Sequence, residues 1–181
     1  KTMLAQPVQV DVAAQNATAE TVEQSVVPVD KEKKAEALKR LFETRGCAQT
    51  LVFTRTKHGA NKLVKVLNKS GIQSEAIHGN KSQGHRTRVL EGFKRGKVSV
   101  LVATDIASRG LDINELPLVV NYELPHVPED YVHRIGRTGR AGKEGLAVSL
   151  VSADEAKQLH AIEKLTEKDI ARDVLEDFEP S

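Results

Sequence analysis

The sequence is poor in the residue types that mark several common classes of protein. It has one cysteine, Cys47, so an internal disulfide is impossible and no thiol cluster can hold a metal, which is typical of a reducing cytoplasm. Aromatic residues make up 3% of the chain and tryptophan is absent, which disfavours a surface that stacks bases. Pro7 and Asp11 interrupt the first apolar residues, and no run is long enough to span a membrane. We therefore expect a soluble cytoplasmic protein without a membrane partner.

The charge of the chain is nearly balanced. Lys and Arg total 27 against 25 Asp and Glu, for a formal charge of +2, so binding of nucleic acid through bulk charge is excluded. Any contact with nucleic acid must be local, and backbone phosphates are the expected target. A chain of 181 residues with 39% hydrophobic residues is suited to one globular domain with a modest extension.

The pattern of apolar residues divides the chain at residue 30. Residues 1–29 hold two alternating runs, 8–12 and 22–29, and are predicted to be an N-terminal extension or interdomain linker. Residues 30–178 are predicted to form the domain, because short Val- and Leu-rich runs alternate there with helical patterns. This alternation predicts an α/β fold with a mainly parallel central sheet flanked by helices. The predicted strands are residues 50–53, 74–77, 98–103, 118–122 and 146–151.

Ligands of open parallel sheets bind at the carboxyl ends of the strands. The residues that follow the predicted strands are therefore candidates for a site. They are Thr54 to Thr56, His78 with Gly79, Thr104 with Asp105, and the glycine-rich segment before Leu146.

The glycine-rich segment, residues 133–142, repeats arginine at every third position with glycines between. Because glycine is disfavoured within helices, the segment is predicted to leave a helix and turn, with Arg137 and Arg140 on one side. Two guanidinium groups suit a polyphosphate, and an arginine that reaches a γ-phosphate is worth roughly a thousandfold in rate. The alternative is a solvated basic loop.

This segment resembles motif VI of DEAD-box and related superfamily 2 helicases. Residues 101–113 resemble motif V of the same family, and residues 51–57 resemble motif IV. His78 and Gly79, followed by Gln83 and Arg86, resemble motif IVa. The resemblance covers residues 30–152, in the order of the family, and some phrases resemble the bacterial RhlE branch. It implies a RecA-like three-layer sandwich, the second lobe of an ATP-dependent RNA helicase.

The resemblance also implies a nucleotide site. Arg137 and Arg140 would reach the phosphates of ATP across an interdomain cleft, and one of them would be the arginine finger. Asp112, with Gly110 beside it, would accept hydrogen bonds from the ribose, although a carboxylate here could instead cap a helix or turn. ATP would bind with Mg²⁺, whose ligands are expected in an N-terminal lobe.

Further residues are implied to contact the RNA backbone. These contacts would carry no sequence code. For Gln83 and Arg86, one turn apart on a helix, the alternatives are contact with motif V or exposure to solvent, and His133 could be a structural histidine. The implied set is Thr54, Arg55, Gly79, Gln83, Arg86, Thr104, Asp105, Arg109 and His133.

The chain shows no Gly-rich phosphate loop that ends in Gly-Lys-Ser/Thr. Residues 150–157 resemble a magnesium-binding motif, but they end in lysine and follow motif VI, so they are not interpreted as one. Asp154 is interpreted instead as the N-cap of a helix. We therefore expect half of an active site, inactive alone, with RNA and an N-terminal RecA-like lobe as partners and RNA-processing or ribosome-assembly proteins as possible ones. Two alternatives stay open: a non-catalytic RecA-like module that binds RNA or protein, and a lobe of a DNA helicase.

Overall fold

The computed structural model describes residues 22–46, 49–79, 82–139, 145–175 and 178–180. Within them, seven parallel strands form one sheet in the order β3-β4-β2-β5-β6-β1-β7. Its central strands are almost continuous runs of buried Val and Leu, as expected for a sheet covered on both faces. The strands are β1 (Val22–Pro28), β2 (Thr50–Phe53), β3 (Ser74–Ile77), β4 (Val100–Ala103), β5 (Leu118–Asn121), β6 (Gly145–Val151) and β7 (Ala171–Arg172).

Helices connect the strands, and local side chains fix where two of them begin. The side chain of Thr56 accepts a hydrogen bond from Gly59 N and that of Ser82 from His85 N, so each satisfies an otherwise unpaired helix amide. Short 3₁₀ turns cover Lys31–Lys33 and Ala153–Glu155. The α-helices are α1 (Lys34–Arg45), α2 (Lys57–Lys69), α3 (Gln83–Lys94), α4 (Asp105–Ser108), α5 (Pro128–Ile135) and α6 (Ala156–Thr166).

The helices lie in two layers, one on each face of the sheet. Helices α1 and α2 pack against one set of strand residues, which includes Val52 and Val120. Helices α3 and α4 pack against the opposite set, which includes Val119. Helices α5 and α6 pack on Ala147, and because Ala147 is paired in register with Val119, they share that second face. The predicted α/β three-layer sandwich with a parallel sheet is thereby confirmed.

The sheet begins before the boundary that the sequence suggests. Strand β1 lies within the predicted extension 1–29, yet it pairs with β6 over seven residues and with β7 on its other side. Val22, Val26 and Val27 are buried. The alternating run 22–29 was predicted as β structure, but periodicity alone does not say which sheet a strand joins. The other run, 8–12, lies outside the described residues.

The segment after β6 also differs in detail from its prediction. Ser152, and not Asp154, is the N-cap: its side chain and that of Glu155 form a reciprocal capping box. The exposed carboxylate of Asp154 accepts a hydrogen bond from Ser152 Oγ, which lowers its pKa. Helix α6 then follows as predicted. Among the described helices, none combines the length and the apolar composition needed to cross a membrane.

Candidate functional site

Arg137 lies directly after α5 and points at the loop between α4 and β5. Its Nη1 donates hydrogen bonds to the carbonyl oxygens of Leu111 (2.7 Å) and Ile113 (3.2 Å), and its Nη2 donates to Ser108 O (2.8 Å). The half-buried guanidinium therefore donates hydrogen bonds to the backbone on both sides of Asp112. The structure thus brings the predicted phosphate-binding arginine and the predicted ribose-binding carboxylate together.

The backbones of the same two segments are joined as well. Leu116 N donates to Arg137 O (3.0 Å), and Thr138 Oγ1 donates to Leu116 O, beside an isolated parallel bridge between Leu116 and Thr138. The motif V and motif VI segments consequently behave as one structural unit. Arg140 lies outside the described residues.

Asp112 presents its carboxylate to solvent. The side chain is 90% exposed, and Lys94 Nζ lies 3.9 Å from Oδ2. The residue belongs to neither helix nor strand, so a role as a helix cap is not what holds it there. Gly110, two residues earlier, has φ +80°, a conformation that costs glycine little and allows the tight turn before Asp112. An exposed acceptor on a fixed turn is suited to hydroxyl groups of a ligand.

Sequence reasoning assigned no role to Arg134, which lies three residues before Arg137. Its side chain is 1% exposed, and its Nε and Nη2 donate to Asp105 Oδ1 (2.7 Å) and Oδ2 (2.8 Å). Its Nη1 donates to Asn121 Oδ1 (3.0 Å) and Glu123 O (2.6 Å), and the guanidinium carbon lies 5.0 Å from the ring centroid of Phe53. The arginine therefore ties α5 to α4 and to the ends of β2 and β5.

This pairing changes the role of Asp105. Asp105 was predicted to contact RNA, but both of its carboxylate oxygens accept hydrogen bonds from Arg134. A carboxylate would also repel phosphates, so an internal counter-charge is the more stable arrangement. The sequence did contain a sign that Arg134 is buried, because Arg134 lies one turn from buried Tyr131 on the apolar face of α5.

The two motif IV residues predicted to contact RNA are turned inward. Thr54 is 0% exposed and donates from Oγ1 to Thr56 O (3.1 Å). Arg55 donates from Nε to Leu124 O (2.7 Å) and from Nη2 to Glu155 Oε2 (2.9 Å), with its side chain 23% exposed. In this structure both residues support the loop that follows β2.

Glu155 is a second residue to which sequence reasoning assigned no role. Its side chain is 2% exposed, and it accepts hydrogen bonds from Lys34 Nζ (2.5 Å), Arg55 Nη2 (2.9 Å), Leu124 N (2.8 Å) and Ser152 N (3.2 Å). Two cations around one buried carboxylate compensate its charge, which a buried ion requires. The signal was the Ser-x-x-Glu spacing of a capping box.

Burial in the same region raises the pKa of a neighbouring phenol, that of Tyr122. Lys34 Nζ also donates to Tyr122 O (2.9 Å), at the end of β5. Burial, reinforced by the nearby charge of Glu123, raises the pKa of Tyr122 to about 12. Tyr122 therefore stays neutral at physiological pH.

Other predicted RNA contacts lie at the carboxyl ends of β3 and β4. Gly79 and Gln83 are exposed, and Thr104 is half-buried at the N-cap position of α4. A β-carbon built on Gly79 would meet no atom within 4 Å, so the described fold does not itself require glycine there. Arg86 donates from Nη2 to Ala107 O (3.0 Å), which realises the contact with motif V that was one of its two predicted roles.

Arg109 and His133 share an acidic neighbour. Arg109 Nη2 lies 3.2 Å from Asp130 Oδ1, and His133 Nδ1 lies 3.9 Å from the same oxygen. Both side chains are more than 60% exposed, at 63% and 64%. They are accessible to a ligand beside the motif V loop.

Comparison with known proteins agrees with this architecture. The family described as "Helicase conserved C-terminal domain" matches residues 33–142. The DEAD-box ATP-dependent RNA helicase CshA of Geobacillus kaustophilus is 44% identical over 167 residues, which cover 92% of this chain and 36% of that protein. The chain thus spans about a third of the length of the curated relatives it matches, 36% and 31% for two of them.

Solved structures give the same result. A DEAD box protein from the hyperthermophile Methanococcus jannaschii superposes with a TM-score of 0.80 at 44% identity, covering 84% of this chain and 42% of that one. Dbp5 of S. cerevisiae, bound to RNA and ADP BeF3, superposes with a TM-score of 0.80 at 31% identity, covering 87% and 42%. The chain therefore belongs to the helicase conserved C-terminal domain family, as a C-terminal domain of the DEAD-box type. Its resemblance to the RhlE branch stays a prediction.

Proposed function

We propose that this domain is the second lobe of an ATP-dependent RNA helicase that remodels or unwinds short RNA duplexes. The observation that carries the proposal is the position of the Arg137 guanidinium, which donates to the carbonyls of Leu111 and Ile113, the residues on either side of Asp112, whose carboxylate is exposed. A cation for phosphates and an acceptor for ribose hydroxyls stand side by side at the carboxyl edge of the sheet. That is half of a nucleotide site.

Arg137 would act as the arginine finger, together with or in place of Arg140. Its hydrogen-bond partners include three neutral carbonyl oxygens. Hydrogen bonds from a guanidinium to a phosphate are charge-assisted and about twice as strong as those between neutral groups. The phosphates of ATP, held by an N-terminal lobe with Mg²⁺, can therefore draw the guanidinium away from the loop. Arg137 would stabilise the negative charge of the transferring phosphoryl group.

Closure of the two lobes follows from this division of the site. ATP that contacts both lobes binds the closed state more tightly, and RNA that contacts both lobes does the same. The isolated domain, with half of each site, would have negligible ATPase activity. Loop contacts such as Arg137 with Leu111 hold the motif V segment in place until the N-terminal lobe arrives.

The RNA contacts would use main-chain and side-chain groups at the ends of β3 and β4. Gly79 would allow a phosphate to approach the backbone closely, and Gln83 and Thr104 would donate to the sugar-phosphate chain. Arg109 and His133 extend this set. Thr54, Arg55 and Asp105 would support the loops from inside. Recognition by backbone contacts would be independent of sequence.

The partners would be RNA and the N-terminal lobe of the same polypeptide. Proteins of RNA processing or ribosome assembly are further candidates, and a cytoplasmic location is proposed from composition alone. No residue described here singles out one such protein.

The test is RNA-stimulated ATP hydrolysis by the full-length protein with Arg137→Ala. We expect turnover to fall by roughly a thousandfold or more, with unfolding midpoint close to wild type. Arg95→Ala is the matched control, because Arg95 is exposed and its one ion pair within the described residues is with Glu91, across one helical turn. Near-normal turnover of the Arg137 variant removes the arginine-finger role and, with it, the main support for the proposed function.

A further inference from the structure

Helix α2 carries positive charge without any acidic residue. Its sequence, KHGANKLVKVLNK, contains no Asp or Glu. His58, Lys62, Lys65 and Lys69 are exposed and follow one another at spacings of four, three and four residues, which places them on one side of the helix. These four residues are called the basic face of α2 below.

The lysines of this face lack counter-charges. Within the described part of the chain, no carboxylate lies within 4.0 Å of Lys62, Lys65 or Lys69. Helix α1 shows the contrast, since Lys39 pairs with Glu36 there. Like charges at these spacings repel one another and destabilise a helix. A bound polyanion would remove that repulsion.

The shape of the surface beside the lysines offers a place for such a ligand. An open cleft of about 560 Å³ is lined by Lys62, Lys65, Val66, Asn68 and Lys69. A second cavity of about 230 Å³ shares Lys62 and Val66 with it and extends towards Lys34 and Tyr122, at the end of β5. The second cavity is also lined by Glu123, Asp154 and Glu155, so an anion is expected at the open cleft, where the lysines lie without carboxylates among the lining residues.

The position of α2 connects this cleft to the proposed RNA site. The helix begins at Lys57, directly after the motif IV loop, and the face from His58 to Lys69 spans about 17 Å at 1.5 Å per residue. An RNA strand that leaves the carboxyl end of β3, where His78 is hydrogen-bonded to Asn61 of α2, can therefore continue along the helix. The same charge could attract an anionic membrane, but the face offers no exposed large apolar residue to insert into one.

We propose that the basic face of α2 binds backbone phosphates of an RNA segment that extends beyond the central RNA site. The inference rests on the proposed function, because it takes the RNA at the carboxyl end of β3 as its starting point. Binding would be electrostatic and independent of sequence, and it would lengthen the footprint of the domain on single-stranded RNA.

The experiment measures binding of this chain to unstructured RNAs of 6 and 18 nucleotides by fluorescence anisotropy across a salt series. In the triple variant Lys62→Gln, Lys65→Gln and Lys69→Gln, we expect affinity for the longer RNA to fall by about tenfold at low salt. The slope of log affinity against log salt should become less negative by about 2, at roughly 0.7 for each lost contact. Affinity for the shorter RNA should stay unchanged.

The matched control neutralises three exposed lysines elsewhere. Lys97→Gln, Lys157→Gln and Lys164→Gln change the net charge equally, and these residues lie after α3 and on α6. The arginine triple Lys62→Arg, Lys65→Arg and Lys69→Arg should retain binding. If the glutamine triple does not fold, each single variant should still make the slope of log affinity against log salt less negative by about 0.7.

The outcomes separate the two proposals. The role of the basic face is overturned if the glutamine triple binds the longer RNA with unchanged affinity. It is also overturned if the glutamine triple loses the same affinity for both RNAs, or if the control triple loses as much affinity as the glutamine triple. In that case the proposed function still stands if Gln83→Ala weakens binding of the shorter RNA. Failure of the shorter RNA to bind wild type counts against the proposed function itself. Loss of binding to vesicles rich in anionic lipid, with RNA binding unchanged, would assign the face to a membrane instead.

Discussion

Arg134 and Asp105 are joined by two hydrogen bonds, 2.7 Å from Nε to Oδ1 and 2.8 Å from Nη2 to Oδ2, and the arginine is 1% exposed. This pair fastens the helix that leads into motif VI to the short helix of motif V. It also gives each carboxylate oxygen of Asp105 an internal partner.

The first prediction concerns this pair. Arg134→Ala leaves Asp105 without its partner and opens a cavity against Phe53, so the free energy of unfolding should fall by about 3 to 5 kcal/mol. Arg134→Lys should recover only part of the loss, because an ammonium group cannot reproduce the planar two-point contact. Urea denaturation followed by circular dichroism measures both.

The exposed pair of Arg95 and Glu91 serves as the comparison. Arg95→Ala should change the free energy of unfolding by less than about 1 kcal/mol, since pairs at the surface contribute little. Equal stability of the Arg134→Ala and Arg95→Ala proteins would show that the buried pair does not hold the two motifs together.

A second prediction follows from Gly145, the first residue of β6. A β-carbon at this position would overlap with Gly139 N and Thr138 Oγ1. Gly145→Ala must therefore displace the motif VI turn, and we expect a loss of about 1 to 3 kcal/mol in stability. Gly79→Ala is the control for stability, because no atom lies within 4 Å of its added methyl group. Thermal unfolding that ranks the two variants in the opposite order would contradict the predicted overlap.

Asp112 gives a third prediction, for the full-length protein. Asp112→Asn should raise KM for ATP by about tenfold, since a charged acceptor contributes roughly 1.5 to 3 kcal/mol to a hydrogen bond. Stability should not change, because the side chain is 90% exposed. Asp169→Asn, another exposed carboxylate, is the control. An unaltered KM for ATP would remove Asp112 from the nucleotide site.

The buried cluster around Glu155 yields a fourth prediction. Glu155→Leu leaves Lys34, whose side chain is 4% exposed, without a counter-charge, so stability should fall by about 3 to 5 kcal/mol. The double variant with Lys34→Met removes the fully buried pair, leaves only the partly exposed Arg55, and should be more stable than Glu155→Leu alone. A double variant that is less stable than Glu155→Leu alone would show that the unpaired charge of Lys34 is not the cause of the lost stability.

The fifth prediction concerns acid stability. Hydrogen bonding from Arg172 lowers the pKa of Glu163 from its ordinary value of 4.5. The unfolded chain therefore takes up a proton before the folded chain does. The stabilisation is complete above pH 4.5 and is lost as the pH falls through the lowered pKa. Glu163→Gln should flatten the decline of unfolding free energy in this acidic range, measured by urea titration at each pH; an unchanged slope would contradict it.

The sequence was sufficient to predict the sheet because its strands carry their own signal. Residues 50–53 and 118–121 are apolar on both faces, as only strands covered on two sides are. That Arg137 and Asp112 would share a site was expected from the resemblance to the family's motifs V and VI. For Arg86, sequence reasoning left two roles open, and the contact with Ala107 O selects one.

Buried charges could not be predicted in the same way. Asp105 and Arg134 are 29 residues apart in the chain, and Lys34 and Glu155 are 121 apart. Whether a charged side chain faces a ligand or an internal partner depends on such distant contacts, which local patterns do not encode. Arg55 shows the consequence, since a motif residue expected at the surface is held by Glu155.

The place of β1 between β6 and β7 has a practical consequence for anyone who shortens this chain. A fragment that starts at Asp30 would leave β7 without its neighbour and would uncover a seven-residue row of amide and carbonyl groups along β6. Such a bare edge pairs readily with strands of other molecules. The fragment would be prone to aggregate in solution even though every recognised motif was still present.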